Sequence, residues 1–195
     1  MMTLRWLAIY FNKFKNLLPE VNDFSVIQIA ADDLENLDKI FRLRVTCRQE
    51  QGYITLEKYP NGWFDDSDFT AFHFAIFYRG QIIASSRLNI FDDIRFHPYF
   101  PAFAHLNKLP RSRPISYLSR IVVLPEYRKK GLSKSLVTER ENFSAKNTVM
   151  NVFADVADFQ IDNFKRYGYK SIGKLDITKI RWDVNPDHFL MHKEL

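Results

Sequence analysis

The chain has 195 residues, 46% of them hydrophobic and 26% charged, a balance that excludes a disordered or fibrous polypeptide and leaves room for one domain with a sizeable core. Its formal charge is +5, and 18 Phe promise an interior rich in aromatic rings. The single cysteine, Cys47, excludes an internal disulfide and fits a reducing cytoplasm.

Leu4, Leu7, Phe11, Phe14 and Leu18 recur at spacings of three and four, which predicts an amphipathic helix within residues 1–22. Such a face packs on the rest of the chain, on a second copy in a homodimer, or weakly on a membrane surface through Arg5, Lys13 and Lys15. Lys13 and Lys15 interrupt the apolar run and no small-residue cleavage site follows, so the segment does not read as a signal peptide. Residues 23–195 read as one domain. FSVIQIA (24–30) alternates as a strand, and ADDLENLDKIFRLRV reads as a helix with acids in its first turn and Leu34, Leu37, Ile40 and Phe41 as the expected buried stripe.

Residues 69–91 predict a hairpin, two β-rich runs around YRGQ, with Gly80 free to take the positive φ of a tight turn. The proline-rich connection 92–114 is long enough to expect a functional lid or a binding loop. ISYLSRIVVL (115–124) is a strand buried on both faces, followed by a helix over 132–146, a strand over 148–154, a helix over 158–167 and a strand over 170–180. This order predicts an α/β chain: a mixed central sheet, helices on both faces, and a parallel crossover between the strands at 115–124 and 148–154.

Between residues 105 and 146 ten Lys/Arg stand against three acids. At the centre of this excess VVLPEYRKKGLSKSLV (122–137) ends a strand by crowding Arg128, Lys129 and Lys130 against Gly131, just where a helix begins. Unpaired amides and the helix dipole at such a turn cradle an anion, and a glycine lets it approach the backbone. The spacing is neither that of a Walker loop nor G-x-G-x-x-G. No zinc-finger spacing or basic heptad array is present, so no nucleic-acid partner is expected. Histidines and carboxylates are scattered, and no metal is expected.

Here the sequence resembles the GNAT superfamily of acyl-CoA-dependent acetyltransferases. Arg128 and Gly131 match its pyrophosphate loop [QR]-x-x-G-x-[GA], with Ser133 at the small-residue position, and Phe164, Gly168 and Tyr169 match its aromatic-x-x-x-Gly-aromatic landmark. The resemblance covers about residues 24–180. It implies a single GNAT-like domain that holds acetyl-CoA or another acyl-CoA through Arg128, Lys129, Lys130, Gly131, Leu132 and Ser133, through the backbone of Ile121, Val122 and Val123, and beside Phe164. It implies transfer of an acetyl group to a primary amine on a small molecule or a protein. Many members carry a tyrosine acid where Phe164 stands, so Tyr167, three residues on, becomes the candidate for that role. Asp155, Tyr117 and Ser119 are candidates for accepting or relaying the amine proton, and His97 and His105 lie in the expected acceptor loop.

A narrower resemblance links FRLRV, WFDDSDFTAFHF and YLSRIVV to the N-acyl amino acid and acyl-homoserine lactone synthases. Arg42, Asp65, Asp68, Arg87 and Arg120 fall near that branch's polar positions, which implies substrate contacts for Asp68, Arg87 and Arg120 and a longer acyl donor carried on CoA or on an acyl carrier protein. A non-catalytic acyl-CoA-binding module is a further alternative, motivated by Phe164.

Overall fold

The computed structural model describes residues 24–52, 54–107, 109–110, 113–179 and 187–195, so the amphipathic segment expected within 1–22 lies outside the described residues. Strand β1 (Val26–Ile29) leads into helix α1 (Leu34–Glu50), whose N-cap Asp33 accepts a hydrogen bond from the Asn36 amide at 3.1 Å. Its buried face is Ile40, Phe41, Leu43, Arg44 and Cys47. Leu34, expected on that face, lies in the first turn and is 74% exposed.

Strands β2 (Phe72–Tyr78) and β3 (Gln81–Phe91) form the expected hairpin. Its turn residues Arg79 and Gly80 both have left-handed φ, 50° and 78°, the geometry that matches the twist of the two strands. The long connection that follows is no open lid. It carries the short helix α2 (Phe100–Phe103), whose Ala102 and Phe103 are fully buried against the sheet with Ile115, Phe153 and Leu190.

Next come β4 (Ile115–Val123), helix α3 (Leu132–Lys146), β5 (Asn151–Ala157), helix α4 (Ile161–Arg166), β6 (Lys170–Lys174) and β7 (His188–Glu194). The strands make one mixed sheet ordered β1-β2-β3-β4-β5-β7-β6, with β4–β5 its one parallel pair. Sequence periodicity placed β5 three residues early and gave no role to the last dozen residues. In the structure β7 inserts between β5 and β6 and supplies Leu190 and Met191 to the core.

Strand alternation sends β2 side chains to opposite faces. On one, His73 meets Phe41 of α1; on the other, Phe72 and Phe74 pack against Phe143 of α3 at ring separations of 4.6 and 5.6 Å. The two long helices thus cover opposite faces, and the end of α1 meets the entry to α3 just past β4, where Arg128 bonds Glu50 at 2.8 Å.

Candidate active site

β4 and β5 pair only from Ile115–Asn151 to Leu118–Ala154. Beyond that rung they part, and the cause lies on the other side of β4. There two β4 residues, Arg120 and Ile121, face the single residue Ser86 of β3, and Arg120 sits at φ 55°. A bulge of this kind bends its strand and increases its twist, turning β4 away from β5. Arg140 of α3 holds the irregular backbone: its Nη1 donates to the carbonyls of Arg87 at 2.9 Å and Ser119 at 3.3 Å. It is fully buried, and desolvation lowers its pKa to about 10, which still leaves it charged near neutrality.

The gap opens into a cleft of about 500 Å³. Ile121, Val122 and Val123 form one wall, Arg128, Lys129, Gly131, Leu132 and Ser133 one end, and Phe164, Tyr167 and Asp155 the far side. Arg87 and Arg120 also reach it. Lys130, Tyr117 and Asp68 are not part of the described lining.

At the basic end, Lys129 and Gly131 take left-handed φ of 63° and 79°, so the chain turns sharply into α3. The Ser135 amide is the first to bond back, to the Gly131 carbonyl at 3.1 Å, and the amides of Leu132, Ser133 and Lys134 precede it without intrahelical partners. Gly131 has no side chain to cap them. Arg128 is held over the same end by two bonds, Nε to the Val123 carbonyl at 3.2 Å and Nη2 to Glu50 at 2.8 Å. Amides without intrahelical partners, the α3 dipole and the neighbouring cations give this end a positive field of the kind that attracts an anion.

Beside the cleft lies a buried ionic cluster. Asp65 caps the turn Asp66–Asp68 and is bonded by Arg87 at 2.6 Å and by Arg120. Asp68 pairs with Arg44 at 2.8 Å and Arg87 at 3.0 Å. Burial opposes the charged form of Asp65, yet the Arg120 and Arg87 guanidiniums hold its carboxyl well below the usual range; Asp68 is likewise lowered against burial by Arg44 and Arg87. Arg44 donates to His73 Nδ1 at 3.4 Å, so Nε2 carries the proton it shares with the Asp68 carbonyl at 3.0 Å. Burial lowers the His73 pKa, consistent with this neutral ring. Arg120 also stacks over Trp63, its Cζ 3.8 Å from the ring centre. Asp68 and Arg44 have no solvent exposure, so Asp68 supports the site from behind rather than meeting a ligand.

On the α1 face, Arg87 donates to Ser119 Oγ at 3.0 Å, and continuing the β4–β5 register sets Ser119 opposite Asp155 across the first missing rung. One layer deeper, Tyr117 stacks on His97 at 3.7 Å. The Tyr117 phenol makes no hydrogen bond of good geometry; desolvation, then the Asp155 charge, pushes its pKa well up. His97 is not at an acceptor surface: burial drives its imidazole down to about 3, and its Nδ1 accepts from the Tyr99 amide at 3.0 Å. His105 is exposed and outside the lining, whereas Tyr167 lines the cleft with its phenol raised by burial, 5.8 Å from the Phe164 ring.

Sequence inspection missed Trp63, Arg140 and His188, all of which line the cleft. Trp63 carried a signal, two residues before Asp65 in a segment already singled out. Arg140 is, in sequence, one more cation of the basic excess at 105–146, and His188 lies in the tail that periodicity leaves without a strand. Among the described residues no three His, Cys, Asp or Glu are grouped to hold a metal ion, and no helix is long and apolar enough to cross a membrane.

The sequence profile of the acetyltransferase (GNAT) family matches residues 37–169. No curated protein matches the chain. Among solved structures, the CoA-dependent acyl-homoserine lactone synthase BjaI, determined with SAM and isopentyl-CoA, superposes with a TM-score of 0.68 at 17% identity over 88% of this chain and 83% of its own. FeeM, an N-acyl amino acid synthase from uncultured soil microbes, gives 0.64 at 13% identity, covering 88% of this chain and 90% of that one. ElaA of Escherichia coli gives 0.62 at 13% identity, covering 88% and 99%. At these identities the superpositions carry the fold.

Proposed function

The chain belongs to the acetyltransferase (GNAT) family, and from that premise we propose that it transfers an acyl group, most simply acetyl, from acyl-CoA to a primary amine within the β4–β5 cleft. The observation that carries this is the continuity of the cleft: a stretch of β4, residues 119–123, that keeps its ladder to β3 but has none to β5 runs directly into the basic, amide-rich start of α3. A pantetheine arm pairs with that stretch as a strand would, and the pyrophosphate rests on the amides after Gly131 beside Arg128.

The chemistry then asks three things of the chain. The thioester carbonyl gains negative charge as the amine attacks, and the bulge at Arg120–Ile121 supplies backbone N–H groups released from the β3 register; losing one such donor typically costs about 3–4 kcal/mol. A proton must leave the amine, and Asp155 stands one residue past the last β4–β5 rung. The departing sulfur needs a proton or a stabilising dipole. Phe164 offers neither, whereas the Tyr167 phenol on the same wall supplies one.

Calorimetry with CoA tests the binding step. Arg128→Ala removes a charge-assisted contact worth about 1.5–3 kcal/mol, a weakening of roughly 10- to 150-fold. Unchanged affinity in Arg128→Ala combined with Gly131→Asp would refute the assignment of this corner to phosphate.

A second reading concerns the donor. Ile54, Tyr59 and Trp63 add an apolar wall beneath α1, and Trp63 is fixed by Arg120 and the Asp65–Asp68 cluster. That wall, with the likeness to BjaI and FeeM, supports a donor longer than acetyl, on CoA or on an acyl carrier protein. Turnover compared across acetyl-, hexanoyl- and dodecanoyl-CoA separates the two, since each buried CH₂ is worth about 0.8 kcal/mol.

A further inference from the structure

Asp155 and His188 stand together where β4 and β5 part. Ala157 faces His188 and Asp155 faces Leu190 in the β5–β7 register, so both side chains project from the same face on diagonal positions. His188 Nδ1 is 3.7 Å from Asp155 Oδ2, the two side chains are only 11% and 8% exposed, and both line the cleft. Resting on the acyl-transfer reading above, the geometry points to His188 as the proton acceptor for the attacking amine, with Asp155 as the positioning residue that sets its tautomer and orientation.

Proximity and the division of labour between the two groups support this assignment. Asp155 has Tyr117 on its strand-neighbour side and the imidazole on the other, so its carboxylate is placed to receive Nδ1–H. A carboxylate used in this way orients its histidine and steadies the imidazolium, leaving Nε2 to take a proton. A separation of 3.7 Å is loose for a hydrogen bond, as acid–base pairs commonly are before substrate closes the site. His97 stays neutral far below neutrality and Tyr117 far above it; Arg87 of β3 and Arg120 of β4 line the same cleft, Arg120 paired with Asp65, and Arg140 of α3 lines it too. Tyr99 reaches the cleft from the loop after β3, and on the β6 side Lys174 is tied to Asp187 at 2.7 Å.

The step balances without a further reactant. The neutral amine nitrogen forms the C–N bond as the carbonyl π pair moves to oxygen, and the N–H proton passes to His188. When the carbonyl re-forms, the C–S bond breaks with its pair on sulfur, the Tyr167 phenol protonates that sulfur, and the proton held by the imidazolium passes to solvent, from which the phenolate is reprotonated. Products are the amide and the free thiol of CoA.

The test uses the full chain, acetyl-CoA and a panel of primary amines, with CoA release followed through its thiol and CoA affinity measured by calorimetry. His188→Gln is expected to lower kcat by about 10²–10⁴-fold with CoA affinity within twofold of wild type, and to abolish the rising acidic limb of the kcat/KM–pH profile. Asp155→Asn is expected to lower kcat in the same direction and to displace that limb. Retention of kcat/KM within threefold in His188→Gln, or a loss with an unaltered pH profile, overturns the inference. Should His188→Gln lose its fold, His188→Ala assayed with added imidazole decides: turnover that climbs with imidazole supports the base, and a flat response removes it. If the wild-type chain fails to bind CoA, or binds it and transfers nothing, the acyl-transfer reading falls first, and the base with it.

Discussion

Replacing Asp68 with alanine strips a carboxylate from between two buried guanidiniums. Arg44 and Asp68 are both wholly inaccessible, and Arg87 is 3% exposed, so no water can take over the lost contacts at 2.8 and 3.0 Å. Removing one partner of such a pair costs about 3–5 kcal/mol, because it leaves charge buried without compensation. For a chain near this length each kcal/mol moves Tm by about 2–4 °C, so Asp68→Ala should melt about 6–20 °C below wild type at neutral pH. Asp65→Ala should cost less, since Asp65 is 29% exposed and solvent can screen the arginines it leaves behind. Differential scanning calorimetry gives Tm, and calorimetric titration of CoA into folded protein gives affinity. A fall of less than 2 °C would refute the account of the cluster. Lost CoA affinity at unchanged Tm would refute it too, returning Asp68 to the ligand's side of the wall. Removing the attraction and the charge together, as in Arg44→Met with Asp68→Leu, should recover part of the loss.

Three further outcomes follow from the geometry. Tyr167→Phe should lower kcat with little change in CoA affinity if its phenol protonates the leaving thiolate, and stopped-flow or steady-state thiol release measures the split. Gly62→Ala should destabilise by about 2–5 kcal/mol in urea unfolding, because φ is 92° and the new Cβ would lie 2.6 Å from Phe41 Cβ and 2.9 Å from its carbonyl carbon; Gly52→Ala, at φ 74° with open space around it, should cost only about 1 kcal/mol. His97, held neutral down to about 3 when folded, gains a proton readily only in the unfolded chain, so its share of stability is complete above about pH 6.5 and is lost as pH falls from 6.5 toward 3. A urea-midpoint series from pH 7 to pH 4 should therefore slope downward, and the slope in that window should flatten in His97→Phe even if the variant is weaker at pH 7.

The parts of the fold set by local periodicity were open to inspection of the sequence. The hairpin around Arg79–Gly80, the helix 132–146 and the strand before it rest on alternation, a turn glycine and a heptad-like stripe, all of which act over a few residues. The basic turn at Arg128–Gly131 was legible for the same reason. The rest depends on distant pairing. Leu34 has the right angle for burial yet is exposed, because no described residue packs over the first turn. The 92–114 connection looked like a lid, yet Phe103 and Ala102 have a sheet surface to fill. Arg140 acquires its meaning only from the carbonyls it bonds beside the bulge, those of Arg87 and Ser119, 53 and 21 residues earlier. His188 does so only once the terminal strand is seen beside β5. Phe164, which argued against a tyrosine acid, sits on the same wall as Tyr167, the phenol proposed for that role.

The parting of β4 from β5 also divides the sheet. Among the described residues four rungs, from Ile115–Asn151 to Leu118–Ala154, make the ladder between a four-stranded half and a three-stranded half. A narrow seam of this kind opens more readily than the ladders on either side, so the amides of β4 and β5 beyond it should exchange with deuterium faster than those of β3 or β7. A donor lying along the seam would brace both halves like an added slat. Its arrival should be visible as slowed exchange in β5 as well as in the loop that grips it.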